Sequence, residues 1–186
     1  MNRIKAMVVV GAIATLTTGL AAPKLSANET PLQLAQSSLA QSNNDFDTQE
    51  MLDAHNEWRS KVGVSNLTWS SELATYASEW ANDLAARDFT MEHRSEGRYG
   101  ENLYWGAGQS ATPTDVVNAW GNEVNDYNYS DNSCSGVCGH YTQVVWSDTT
   151  EVGCAVARGT HPDYGTQEIW VCNYNPPGNY VGQKPY

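Results

Sequence analysis

The chain has 186 residues, with 21 acidic and 10 basic side chains and a net charge of −11. That length suits one domain with a sizeable core plus flanking segments. The acidic balance argues against nucleic acid as a partner and against adhesion to anionic membranes, while it suits attraction of divalent cations.

Residues 1–27 read as a secretory signal peptide. Arg3 and Lys5 precede an apolar run from Met7 to Leu20, and small residues follow, with cleavage after Ala21 or Ala27. The run is too short for a comfortable membrane span, and the flank that would hold an uncleaved anchor does not follow, so no stable span is expected. Cleavage takes Arg3, Lys5 and Lys24 but no acid, so −11 becomes −14. Residues 28–47 are rich in Gln, Ser and Asn and poor in large apolar side chains, which predicts a flexible linker. The folded domain is then residues 48–186, in a secreted, extracellular setting.

Within that domain, Thr48 to Lys61 carries Met51, Leu52, Ala54 and Trp58 at helical spacing, with Arg59 and Lys61 late and Gly63 beyond. Ser70 caps a second helix whose stripe is Leu73, Ala77, Trp80, Ala81 and Leu84. Thr112-Pro113-Thr114 opens a third, with Val116, Val117, Trp120, Val124 and Tyr127 on one face. Three β-rich runs follow, predicted as strands: Tyr141–Trp146 with His140 at its start, Val152–Ala157 and Glu168–Tyr174. Helices followed by an antiparallel meander imply an α+β layered domain. The prolines after Asn175 cannot continue a ladder.

Cys134, Cys138, Cys154 and Cys172 form an even set in an exported chain, which reads as two disulfides. Close spacing favours Cys134–Cys138, leaving Cys154–Cys172; a four-thiolate zinc site is the weaker alternative. Seven tryptophans and ten tyrosines against two phenylalanines point to a partly wet, hydrogen-bonded core.

Among the histidines, His161 sits in a loop beside Pro162, and His55 lies mid-helix as a hydrogen-bonded packing residue. His93, just past the second helix, is the natural partner of His140. Glu101 lies in a glycine-flanked segment among aromatics, and Glu123 lies three residues after Trp120. A semi-buried acid needs a partner. Two imidazoles and two carboxylates meeting in one cleft would hold a borderline cation such as zinc. Spacing alone also allows four unrelated polar residues.

The blocks GHYTQVVW, VGCA and WVCNYNPPGNYVGQKPY, with LDAHNEWRSKVGVSNLTW and YGENLYWG before them in order, resemble the CAP superfamily. That superfamily covers cysteine-rich secretory proteins, insect venom allergens and plant pathogenesis-related proteins, and the likeness is strongest to the plant group. It implies a three-layer α-β-α sandwich with a small antiparallel sheet. It also implies a central cleft of His93, Glu101, Glu123 and His140, in which the two histidines bind a divalent cation, often zinc. The expected function is that of a binding module for sterol, other lipid or an extracellular partner, linked to defence, with Tyr99 to Trp105 as the apolar wall. The alternative is a zinc-dependent hydrolase with Glu101 or Glu123 as catalytic base. The tail from Pro176 to Tyr186 has the form of a releasable peptide, or else covers the sheet edge. Two departures stand out: the plant relatives' third disulfide would fall near Phe89 and Gly159, neither of which is cysteine, and Arg94-Ser95-Glu96 alters the loop after His93.

Overall fold

A computed structural model describes residues 46–95 and 97–186. The predicted signal peptide and nearly all of the predicted linker lie outside them. Phe46 and Asp47 are described: the Phe46 ring tilts against Trp170 with centroids 4.9 Å apart, and Asp47 caps the first helix.

Helix α1, Thr48–Val62, starts where the Asp47 carboxylate accepts the Gln49 and Glu50 amides. It ends at Gly63, whose φ of 78° takes the left-handed turn that a Cβ would resist. Strand β1, Thr68–Trp69, leads to helix α2, Ser71–Ala86, capped by the Ser70 hydroxyl on the Leu73 amide. Strand β2, Gly100–Ala107, precedes helix α3, Pro113–Gly121, which opens with a reciprocal Thr112–Asp115 capping box. A 3₁₀ turn, Asn122–Asp126, and a small hairpin of β3, Tyr127–Asn128, with β4, Ser133–Cys134, lead to helix α4, Gly139–Val144. The long hairpin of β5, Glu151–His161, and β6, Gly165–Asn175, completes the domain.

The main sheet runs β1-β5-β6-β2, with β1 parallel to β5 and the other pairs antiparallel. Side-chain alternation along β5 and β6 feeds two separate cores. On one face, Ala77, Ala81 and Leu84 of α2 pack on Leu103, Ala155, Ile169 and Val171. On the other, Met51 and Ala54 of α1, Val117 and Trp120 of α3 and Val144 of α4 pack on Cys154, Trp170, Cys172 and Tyr174. This is the expected three-layer α-β-α arrangement.

Two expectations change. Residues 141–146 are not a strand: the run forms the short helix α4 and its exit, because the Glu123 carboxylate collects the His140 and Tyr141 amides and so starts a helical turn. The strand that completes the sheet is instead β2, hydrogen-bonded along the whole of β6. The sheet is therefore mixed, with a strand ahead of α3, rather than a C-terminal meander. The third predicted helix also stops early, so Glu123 and Val124 lie in the 3₁₀ turn and Tyr127 in β3.

Both disulfides pair as predicted, Cys134–Cys138 and Cys154–Cys172, the second joining directly opposed residues of β5 and β6. Where the relatives' third bridge was placed, the Phe89 ring lies over Gly159, so close that a Cβ there would sit 2.8 Å from it.

Candidate functional site

Two histidine–glutamate pairs form the site. His93, in the loop after α2, donates from Nδ1 to Glu101 Oε1 at 2.8 Å, and the Arg94 amide donates to the same oxygen at 3.1 Å. The loop is pinned to α2 by the Trp80 indole, which donates to Glu92 O at 3.0 Å, and by Arg94, which donates to Tyr76 O and Glu79. Glu101 rises from β2, nearly buried, and its Oε2 accepts a longer bond of 3.4 Å from Asn173 Nδ2. The hydrogen bond to Glu101 raises the His93 pKa above its ordinary value, against the partial burial that lowers it.

The second pair has the same form. His140, at the start of α4, donates from Nδ1 to Glu123 Oε1 at 2.6 Å, while Glu123 Oε2 accepts the His140 amide at 3.0 Å and the Tyr141 amide at 3.3 Å. Trp120 stacks on the His140 ring at 6.3 Å. In both pairs a carboxylate holds Nδ1–H, which fixes the tautomer and leaves Nε2 uncommitted. A carboxylate on Nδ1 is also the partner that metal-bound histidines commonly have.

The pairs are linked through the fold between them. Asn102, next to Glu101, donates to His140 O at 3.1 Å and to the Tyr174 hydroxyl at 3.2 Å. Tyr174 is joined at 2.9 Å to His55 Nε2, and His55 Nδ1 donates to Met51 O at 2.8 Å. That last bond places the proton on Nδ1, so the Tyr174 O–H donates to Nε2. Burial draws the His55 pKa down to about 4 and pushes that of Tyr174 up, which keeps both neutral. His55 is thus the packing residue that its helical position predicted.

Gln143, three residues after His140, supplies a second link. Its buried amide accepts the Gly178 N–H at 2.9 Å and donates to Thr149 Oγ1 at 3.3 Å. A Cβ on Gly100 would overlap Gln143 Oε1, and one on Gly178 would lie 2.9 Å from Nε2. Beneath α4, Arg59 is fully buried. Its guanidinium donates to Val144 O, Trp146 O and Thr149 O, and its Nε to Ser65 O.

Sequence reasoning missed Asn102, Gln143, Asn173 and Tyr174, and took Arg59 only as a helix-end charge. Glycines at 100 and 178 were the readable trace of Gln143.

A cleft of about 260 Å³ opens beside the first pair, lined by His93, Glu101, Tyr76, Arg98, Tyr99 and Asn173 among others; His140 and Glu123 are not in its wall. Of the expected apolar wall, Tyr99 borders this cleft, Tyr104 packs against the core, and Trp105 donates to Gln167 on β6. His161 ends β5, where its Nδ1 accepts the Asp163 amide. Among the described residues, no group of three or more His, Cys, Asp or Glu side chains is arranged to hold a metal ion, and no helix is long and apolar enough to cross a membrane.

Comparison with known proteins agrees with this architecture. The chain is 47% identical over 140 residues to pathogenesis-related protein 1C of Nicotiana tabacum, covering 74% of this chain and 80% of that protein. It is 48% identical over 138 residues to pathogenesis-related protein 1 of Arabidopsis thaliana, covering 74% and 81%. Among solved structures, venom allergen-like protein 4 of Schistosoma mansoni superposes with a TM-score of 0.57 at 25% identity, covering 74% of this chain and 92% of that one. BmVAL-1 superposes with a TM-score of 0.61 at 24% identity, covering 77% and 84%. The model of the CAP, or cysteine-rich secretory protein, family matches residues 52–174, which takes in both histidine–glutamate pairs and the Cys154–Cys172 bridge. The chain belongs to the cysteine-rich secretory protein (CAP) family.

Proposed function

We propose that this protein is a secreted, defence-related binding module of the pathogenesis-related type, and that His93 and His140 offer Nε2 to a divalent cation such as zinc. One observation carries the cation reading: each imidazole is held at Nδ1 by its own glutamate, the orientation that metal-bound histidines adopt. Water or a ligand would complete the coordination, since two nitrogens are fewer than a closed structural site uses. The plant relatives' names support the defence reading.

A lipid or sterol partner is favoured at a second place. A cleft of about 270 Å³ lies between α4 and the C-terminal tail, walled by Tyr127, Trp146, Tyr180 and Pro185. A hydrolase is less well supported. It would need a carboxylate facing a metal-bound water; both oxygens of Glu123 are taken by the His140 ring and backbone amides, and Glu101 Oε1 is taken by His93 and the Arg94 amide, which leaves only Glu101 Oε2 for such a role.

Calorimetric titration of the full chain with zinc tests the cation reading. Saturable binding that His140→Ala abolishes and Glu123→Gln weakens about 10- to 100-fold is expected. Equal affinity in the wild type and in a His93→Ala/His140→Ala double variant would remove it.

A further inference from the structure

The cleft beside His93 differs from the apolar one. Among the described residues no aliphatic side chain lines it. Its volume is about 260 Å³, and its walls are polar and charged. A fused apolar skeleton would strip water from these walls without replacing the lost hydrogen bonds.

In these walls the Arg98 guanidinium is open and Glu101 Oε2 is only partly used. Asn173 is buried, and its Nδ2 faces Gly100 O at 3.2 Å and Glu101 Oε2 at 3.4 Å. Both are acceptors, so the amide cannot be turned over, and Asn173 Oδ1 is left as a buried acceptor with no donor. Glu101 Oε2 receives only that long bond, whereas Oε1 receives two shorter ones. Arg98 is two-thirds exposed, lies over the Tyr99 ring, and has Glu72 no closer than 3.9 Å, so its guanidinium fork is open. In a chain with twice as many acids as bases, Arg94 and Arg98 place two cations within five residues at this cleft. Arg94 is held on Tyr76 and Glu79; Arg98 is available.

An acceptor on one wall calls for a hydroxyl donor, and an open guanidinium on the other calls for a carboxylate. We infer that this cleft binds a carboxylated sugar, with a ring hydroxyl donating to Glu101 Oε2, which the Asn173 amide holds in place, and the carboxylate paired with Arg98. The assignment rests on the binding-module reading but not on the cation.

The test is a titration of the full chain in EDTA with a uronic-acid trisaccharide and with its neutral counterpart, followed by calorimetry and by amide chemical shifts. The expected result is saturable uronate binding, at least about tenfold weaker binding of the neutral sugar, and a shift of the Asn173 side-chain amide. Arg98→Gln, an exposed change, weakens uronate binding about tenfold or more, and Arg98→Lys restores part of it. Absence of uronate binding, equal affinity for the neutral sugar, or an unaffected Arg98→Gln variant overturns the inference. Because EDTA removes the metal, uronate binding that persists beside a failed zinc titration separates this assignment from the cation reading, and the reverse pattern does so as well.

Discussion

Replacing Arg59 by methionine removes a solvent-inaccessible cation and four hydrogen bonds while keeping much of the aliphatic stem. Burial draws the guanidinium pKa down to about 10, so it remains charged at neutral pH, where the comparison is made. Trp146 O keeps the Thr149 amide as a donor, but the carbonyls of Ser65, Val144 and Thr149 lose their guanidinium donors. A buried acceptor left without a donor costs about 1–3 kcal/mol, and water entering the gap offsets part of it. A net loss of about 3–5 kcal/mol follows, in line with the cost of breaking other buried charged networks. At about 2–4 °C per kcal/mol for a domain of this size, Tm falls by roughly 6–20 °C. Thermal unfolding followed by circular dichroism at pH 7 reads this directly. Arg59→Lys, which keeps the charge but concentrates its donors at one point, falls in between. A methionine variant melting within about 2 °C of the parent would refute the account of how the end of α4 is held.

Three further outcomes are expected. Gly100→Ala drives a Cβ into the immobile Gln143 amide and costs about 1–3 kcal/mol, read as a fall in the urea midpoint at unchanged m-value. Tyr174→Phe leaves His55 Nε2 without its donor and takes one of the two acceptors of Asn102 Nδ2, the other being His140 O, also costing about 1–3 kcal/mol by the same measurement. Glu101→Gln returns the His93 pKa toward its ordinary value in an NMR titration. In the parent chain the pair stabilises the fold fully below the unfolded histidine pKa of about 6.5, and that contribution is lost as pH rises through the raised folded value. Glu101→Gln flattens this part of the pH–stability curve.

Local chemistry was readable where the sequence acts locally. Asp47, Ser70 and Thr112 cap helices, Gly63 ends one, and His161 to Gly165 turns the β5–β6 hairpin as its Pro-Asp-Tyr-Gly composition implies. Residues 141–146 misled because Tyr, Thr and Val favour strands, yet all six are buried, so no two-residue alternation exists to be read. Their helix depends on Glu123, a residue from the preceding turn that no window over the run contains. Strand β2 was hidden by its glycines and polar residues, and is held by eight register partners on β6. His93, Glu101, Glu123 and His140 were singled out through the family blocks, and only the first two line the cleft. Their division into two pairs depends on how the fold sets the loop after α2 beside β2 and the 3₁₀ turn beside α4, and this fixed partners that spacing could not.

Gln143 ties together two stretches of chain more than seventy residues apart, since Gly100 and Gly178 each press on one face of its amide. The consequence is one of co-inheritance. A C-terminal segment transplanted from another scaffold would seat here only if it also brought a glycine to that spot, and cutting the segment away would take a boundary from both hollows, because Asn179 belongs to each.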